Sequence, residues 1–236
     1  MSSTGDDDPE LAMGERWAAV HTLLAECFKE PSATFVEEVQ AGALGDELSD
    51  HAMALDLELS EPTPPHPDDR GSVQDAYLSL FEAKRQPYAP PAESPYKEWH
   101  GDREGGLLGG PSARDMERRY EALEATPPEG YPVDHVALLL EYGALLLEAG
   151  SIDAYRDFLG DHLDWIPAFR AQVEAAAAEA PFYRWAVTTL DEVLTELRSR
   201  VGVLEPTPET GADMVGRLDT TGDVEDRDRG FHPPPG

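Results

Sequence analysis

The stretch VALLLEYGALLL, residues 136–147, decides the fold of this 236-residue chain. Glu141 is its only charged residue, and its apolar residues occupy every side of a helix drawn through it. A helix without a polar face is normally buried all round, and this one is too short to span a bilayer. We therefore expect it to be the central helix of a soluble bundle.

The flanking segments also carry apolar residues at helical spacing and hardly ever alternate between apolar and polar residues. This pattern predicts an all-α fold, a single-domain helical bundle. The predicted helices cover residues 17–28, 35–39, 73–81, 112–123, 132–149, 152–165, 168–179 and 182–201, with a less regular segment at 53–59.

Composition divides the chain into three parts. Residues 1–14 are acidic and polar, and residues 204–236 are rich in Pro, Gly, Thr and acidic side chains, so we expect both ends to be disordered. Residues 15–203 then form the helical domain. Within it, residues 87–111 are rich in proline and glycine and are predicted to form a long loop, which in proteins is often functional.

The charge of the chain is strongly acidic, with 48 acidic against 18 basic residues and a net charge of −30. Such a field repels nucleic acid and anionic membranes, so we expect neither as a partner. Two explanations remain open: a surface adapted to a salty cytoplasm, and a local acidic trap for a basic ligand. We favour the first, a halophilic surface, because acidic residues occur all along the chain and lysine is rare.

The cellular setting is indicated by two absences. Cys27 is the only cysteine, which excludes an intramolecular disulfide and a cysteine-rich metal site. Residues 1–10 lack the basic end and apolar stretch of a secretory signal. We therefore expect a cytoplasmic protein that holds neither a cofactor nor a metal ion.

Three polar residues lie within the central stretch or directly before it. Glu141 inside it would cost several kcal/mol if buried without a partner, so it is either a satisfied internal strut or a ligand contact. We expect Asp134 in the first turn of this helix, where its charge complements the helix dipole. His135 beside it could complete a general-base pair, but no serine or cysteine nucleophile with a local signature accompanies the two.

An enzymatic function is disfavoured by the remaining motifs. The glycines between residues 101 and 110 are not followed by the Lys-Ser/Thr of a phosphate-binding loop and do not fit G-x-G-x-x-G. The histidines are scattered without metal-ligand spacing. We therefore predict a binding protein rather than an enzyme.

Several motifs together resemble the TorD/DmsD/NarJ family of chaperones. The PVDH of residues 132–135, followed by LLLEY at 138–142, resembles the family's P-x-D-H and L-E-[FY] signature. The resemblance spans residues 15–200, with the motifs in the family's order. The other matching segments are YLSLF at 77–81, PPAESPY at 90–96, residues 107–116, HLDW at 162–165 and PFY at 181–183.

The resemblance implies a chaperone without catalysis. Such a protein binds the twin-arginine leader or the apo catalytic subunit of a molybdopterin oxidoreductase until the cofactor is inserted. We expect a monomer, with a dimer that is domain-swapped through the long Pro/Gly loop as the alternative. The residues expected to bind the peptide are Tyr77, Leu80, Phe81, Pro90, Pro91, Glu93, Tyr96, Pro132, Asp134, His135 and Glu141.

The chemistry of the leader fits these residues. Its two guanidinium groups need carboxylates that accept a planar fork, next to an apolar groove. Glu93 and Asp134 are the candidate acids. Ala92 and Pro95 depart from the family pattern and leave open which leader is recognised. We favour a client of the dimethyl sulfoxide or trimethylamine oxide reductase type, with a nitrate reductase, or permanent association with the enzyme, as alternatives.

Overall fold

The computed structural model describes residues 9–82, 89–97, 108–176 and 180–206, and within these ranges the chain forms α-helices and no β-strand. The predicted all-α bundle is therefore confirmed. The helices are α1 (Pro9–Cys27), α2 (Ala33–Gln40), α3 (Ala43–Ala54), α4 (Arg70–Tyr77), α5 (Pro111–Ala122), α6 (Val136–Glu148), α7 (Ile152–His162), α8 (Ile166–Ala176) and α9 (Pro181–Val201).

Helix α6 lies in the centre of the bundle, as its composition predicts. Residues 136–140 and 142–144 are buried, and α1 packs along α6 in the most extensive helix pair of the described chain. Its last turns reach the surface, where Leu145 is 51% exposed. The two helices approach so closely that a Cβ on Gly14 of α1 would lie 2.8 Å from the carbonyl oxygen of Leu147.

Gly14→Ala is expected to destabilise the protein by about 2 kcal/mol, because the added methyl group meets a backbone carbonyl and forces α1 away from α6. The intrinsic helix preference for alanine offsets about 1 kcal/mol of the clash at most. Urea unfolding measures the change, with the exposed neighbour Glu15→Ala as control. Equal unfolding midpoints for the two variants would show that the helices do not meet here.

Several elements differ from the sequence predictions. Helix α3 was not predicted, since only a less regular segment at 53–59 was expected there, and the bounds of other helices shifted. Helix α1 begins at Pro9, so residues 9–14 are helical rather than disordered, while residues 1–8 lie outside the described ranges. Helix α6 begins at Val136, because His135 has extended backbone angles and acts as its N-cap. The placement of Asp134 in the first turn was therefore wrong: it precedes the helix.

Glu141 is not the buried charge that its sequence environment predicted. Its side chain is 37% exposed, and its Oε1 lies 2.5 Å from the Lys29 Nζ at the end of α1. Lys29 also pairs with Glu26 at 2.6 Å. Exposed pairs of this kind contribute about 1 kcal/mol or less, so Glu141 carries no burial penalty of consequence.

The described part of the proline- and glycine-rich segment is packed into the protein. Residues 89–97 contain a short 3₁₀ helix at Ser94–Tyr96, and Pro90 and Tyr96 are buried. The Ala89 amide donates to the Leu80 carbonyl at 2.8 Å, which joins this segment to the π-helical turn Leu78–Glu82 after α4. Residues 87–88, 98–107 and most of the predicted tail, 207–236, lie outside the described ranges.

Within the described ranges, no helix combines the length and the apolarity that a membrane crossing needs.

Candidate peptide-binding site

Two of the sequence motifs meet directly. The segment 91–94 runs antiparallel to residues 134–136, with an isolated bridge between Ala92 and His135. The Glu93 amide donates to the Asp134 carbonyl at 3.0 Å, and the Val136 amide donates to the Pro91 carbonyl at 2.8 Å. The structure thus brings together the PPAESPY and PVDH residues that the sequence analysis grouped.

The Asp134 carboxylate holds this junction. It is fully buried, and its Oδ2 accepts the Ser94 amide at 2.7 Å, at the start of the 3₁₀ helix. Burial raises the pKa of Asp134, and the hydrogen bonds from Ser94 oppose that rise. Its Oδ1 is also buried and finds no hydrogen-bond partner in the part of the chain that the structure describes. Asp134 therefore positions residues 91–96 from within.

His135 offers an unused donor. Its Nδ1 accepts the Ala137 amide at 3.2 Å as the N-cap of α6, so in the neutral ring the proton sits on Nε2. Burial lowers the pKa of His135 to about 3, with a smaller contribution from the Lys29 charge, and the ring therefore stays neutral near pH 7. Nε2 is buried and has no hydrogen-bond partner among the described residues. The ring of Tyr131 lies 4.7 Å away, centroid to centroid.

Glu93 is occupied by an internal partner. Its side chain is 1% exposed, and its Oε2 lies 2.8 Å from the His162 Nδ1. The other ring nitrogen, Nε2, lies 2.9 Å from the Asp115 Oδ2 on α5. Burial raises the pKa of Glu93, against the opposing effect of His162. His162 lies in a family motif that predicted no role for it, and no motif marked Asp115 as its partner.

The aromatic residues of the predicted groove belong to the core. Tyr77, Leu80, Phe81 and Tyr96 are buried, and the Phe81 ring lies 5.3 Å from Tyr77. Tyr96 lies against Trp165 with ring centroids 4.9 Å apart. Pro91 and Pro132, by contrast, are partly exposed at the surface of the junction.

Two exposed acids lie near this junction and were missed by the sequence analysis. Glu30 follows α1, and its amide donates to the Tyr131 hydroxyl, 2.9 Å away. Glu82 ends the π-helical turn. Burial raises the pKa of Tyr77, and the charges of Tyr131, Glu82 and Glu30 add to this rise. No motif marked them, because acidic residues occur throughout this sequence.

Comparison with known proteins assigns the family. The family model described as nitrate reductase delta subunit matches residues 37–171, more than half of the chain. The chain belongs to this family. Membership in the nitrate reductase delta subunit family confirms the resemblance to NarJ-type chaperones, and it supports a role in the maturation of a redox enzyme.

Comparison with solved structures and with curated proteins adds less. The crystal structure of a protein described as a redox enzyme maturation protein from Archaeoglobus fulgidus matches with a TM-score of 0.49 and 19% identity. The match covers 84% of this chain and 98% of the other. No curated protein matches. No cluster of metal-binding side chains occurs within the described ranges.

Proposed function

We propose that this protein is a cytoplasmic maturation chaperone that binds the twin-arginine leader, the apo catalytic subunit, or both, of a molybdopterin oxidoreductase until its cofactor is inserted. The observation that carries the proposal is the buried Nε2 proton of His135, which has no partner among the described residues. A buried donor left unused costs about 1–3 kcal/mol, and binding a ligand would remove that cost.

A peptide backbone satisfies this donor. An extended leader exposes a row of carbonyl oxygens, and one of them can accept the His135 Nε2 proton once the leader displaces the atoms that cover it. Since the ring is neutral, it does not repel the arginine pair.

The leader guanidinium groups need exposed carboxylates. The carboxylates of Glu93 and Asp134 are each hydrogen-bonded within the protein, so we propose that they position residues 91–96 rather than bind the leader. Glu141 is paired with Lys29. Glu30 and Glu82 are exposed and are the acids that we propose for the guanidinium groups, since the internal partner of the Glu30 Oε1, the Gln74 side-chain amide at 3.1 Å, is uncharged.

The client remains open between two classes. The P-x-D-H form favours a reductase of the dimethyl sulfoxide or trimethylamine oxide type, and the family description favours a nitrate reductase. A permanent subunit would remain bound to the mature enzyme, whereas a chaperone would leave it.

His135→Asn tests the proposal. Asparagine caps helices at least as well as other residues, so helix content should stay unchanged, while loss of the buried ring should lower the free energy of unfolding by about 1–2 kcal/mol. The shorter side chain cannot place a donor where Nε2 lies, and leader affinity should fall more than about tenfold. Calorimetric titration with a synthetic twin-arginine leader at high salt measures this, since salt screens nonspecific attraction to the acidic surface.

Two controls accompany this titration. A leader with two lysines in place of the arginines keeps the charge but lacks the planar guanidinium groups, so it tests whether the site recognises their shape. The variant His66→Asn removes an exposed imidazole elsewhere and controls for that loss. Wild-type affinity in His135→Asn would remove this residue from the site, and no binding by the wild type would refute leader recognition.

A further inference from the structure

His162 lies between two carboxylates. Its Nδ1 is 2.8 Å from the Glu93 Oε2 and its Nε2 is 2.9 Å from the Asp115 Oδ2. The residue is 4% exposed, and its ring stacks on Phe158 with centroids 5.2 Å apart. Both polar atoms of the imidazole are therefore committed to anionic partners, away from solvent.

This contact joins three parts of the fold. His162 ends α7, Asp115 lies on α5, and Glu93 belongs to the segment that bridges to residues 134–136. The Glu93 backbone amide donates to the Asp134 carbonyl, and the Glu93 carboxylate forms a hydrogen bond with the His162 ring. Segment 91–94 is thus fixed from one side by the PVDH residues and from the other by His162.

The arrangement requires one shared proton. A neutral imidazole has a single N–H, so it can donate to only one of the two carboxylates. Both hydrogen bonds form when the ring is protonated, or when Glu93 itself carries the proton. Without that proton, a lone pair on nitrogen faces a carboxylate oxygen in a buried place, and the contact becomes repulsive.

The charges around the ring hold this proton. Burial alone would lower the pKa of His162, but the hydrogen bond with Glu93 and its charge raise it above the ordinary 6.5. Partial burial would raise the pKa of Asp115, but Arg118, Arg119 and His162 donate to it and hold that pKa well below its usual range. Asp115 therefore stays ionised and keeps attracting the proton.

Further charged groups face the pair from the neighbouring elements. The Lys97 Nζ lies 3.7 Å from the Glu93 Oε1 and also pairs with Asp164 beyond α7. The Asp134 carboxylate acts on both Glu93 and His162, and the Arg119 charge opposes protonation of His162.

We propose that His162 is a positioning residue for peptide binding. The proton that it shares with Glu93 fixes segment 91–94 against residues 134–136, and loss of that proton releases the segment and weakens binding of the leader. The effect on the leader rests on the proposed function, whereas the effect on the segment does not.

The direction of the pH dependence follows from the raised pKa of His162. Its contribution to holding the segment is complete below pH 6.5 and is lost as the pH rises through the higher value in the folded protein. Leader affinity should therefore fall roughly tenfold between about pH 6 and about pH 9.

Two measurements on the full chain test the proposal. Hydrogen exchange gives protection factors, corrected for intrinsic rates, of the Glu93 and Ser94 amides across this pH range, while NMR follows the His162 ring. Calorimetry gives the affinity for the synthetic twin-arginine leader over the same range. Protection and affinity should both fall at the pH where His162 titrates.

Glu93→Gln separates positioning from a purely structural role. The side-chain amide of the introduced glutamine can donate to Nδ1 of a neutral imidazole, whose Nε2 proton still binds Asp115, so both contacts survive without the extra proton. This variant should keep protection and affinity at high pH and lose the pH step. His162→Gln should show the weak, high-pH affinity of the wild type at every pH.

The outcomes are distinguishable. Protection factors that stay constant while His162 titrates, or a pH step that persists in Glu93→Gln, would overturn the proposal. If the wild type binds no leader at any pH, the proposed function fails, and the exchange measurement alone still decides whether His162 controls the segment.

Discussion

Asp134→Ala is expected to weaken binding of a twin-arginine leader by more than about tenfold and to destabilise the protein by about 2 kcal/mol. The buried carboxylate accepts the Ser94 amide at 2.7 Å, and alanine removes this acceptor from a site that water does not reach. The 3₁₀ helix at Ser94–Tyr96 loses its anchor, and with it the surface beside His135 that we propose for the leader.

Asp134→Asn is the matched control. An asparagine oxygen can still accept the Ser94 amide, so the geometry is kept while the negative charge is removed. If Asp134 acts by positioning, the asparagine variant should bind the leader within about threefold of the wild type, a difference of less than about 1 kcal/mol. Equal losses in both variants would instead mean that the Asp134 charge itself contacts the leader.

Leu139→Ala is expected to lower the free energy of unfolding by about 3 kcal/mol, the largest stability effect considered for this chain. Leu139 is fully buried in the N-terminal half of α6, so the substitution leaves a cavity among α6 and its neighbours. Urea unfolding at constant salt gives the change directly.

Leu145→Ala on the same helix is the control, because that side chain is 51% exposed. It removes the same atoms and should cost about 0.5 kcal/mol or less. Similar losses at the two positions would contradict a central position of α6 in the bundle.

The sequence was sufficient to predict α6 because its burial follows from composition alone. A run with one charge in residues 136–147 has no face that water can cover, whichever helices surround it. Most other helices also follow from local spacing, which needs no knowledge of their partners. Helix α3 was missed, because its buried face carries only two large apolar residues, Leu44 and Leu48, beside Gly45 and Ala52. At Val136 only the bound shifted, because the extended backbone of His135 delays the start of α6.

The environment of Glu141 could not be predicted, because it depends on a residue distant in sequence. Lys29 reaches it from the end of α1, and only the packing of α1 on α6 brings the two together. The apolar neighbours of Glu141 in the sequence predicted a buried side chain. In the fold this side chain is 37% exposed and pairs with Lys29.

The candidate site was predicted in part, for the same reason. The motifs identified Glu93, Asp134 and His135, and these three meet in the structure. Their internal partners, Ser94 and His162, are set by tertiary contacts, so the sequence did not indicate that the two acids are buried and engaged. The role of these residues in peptide binding remains a prediction.

The most direct test of the central claim is isolation of the tagged protein from its native cells at high salt, with bound proteins identified by mass spectrometry and their molybdenum content measured. The account predicts a molybdopterin oxidoreductase catalytic subunit with its leader uncleaved and its cofactor absent, and much less of it with His135→Asn. Recovery of only the mature, cofactor-loaded enzyme, or of no oxidoreductase while that enzyme is being made, would contradict it.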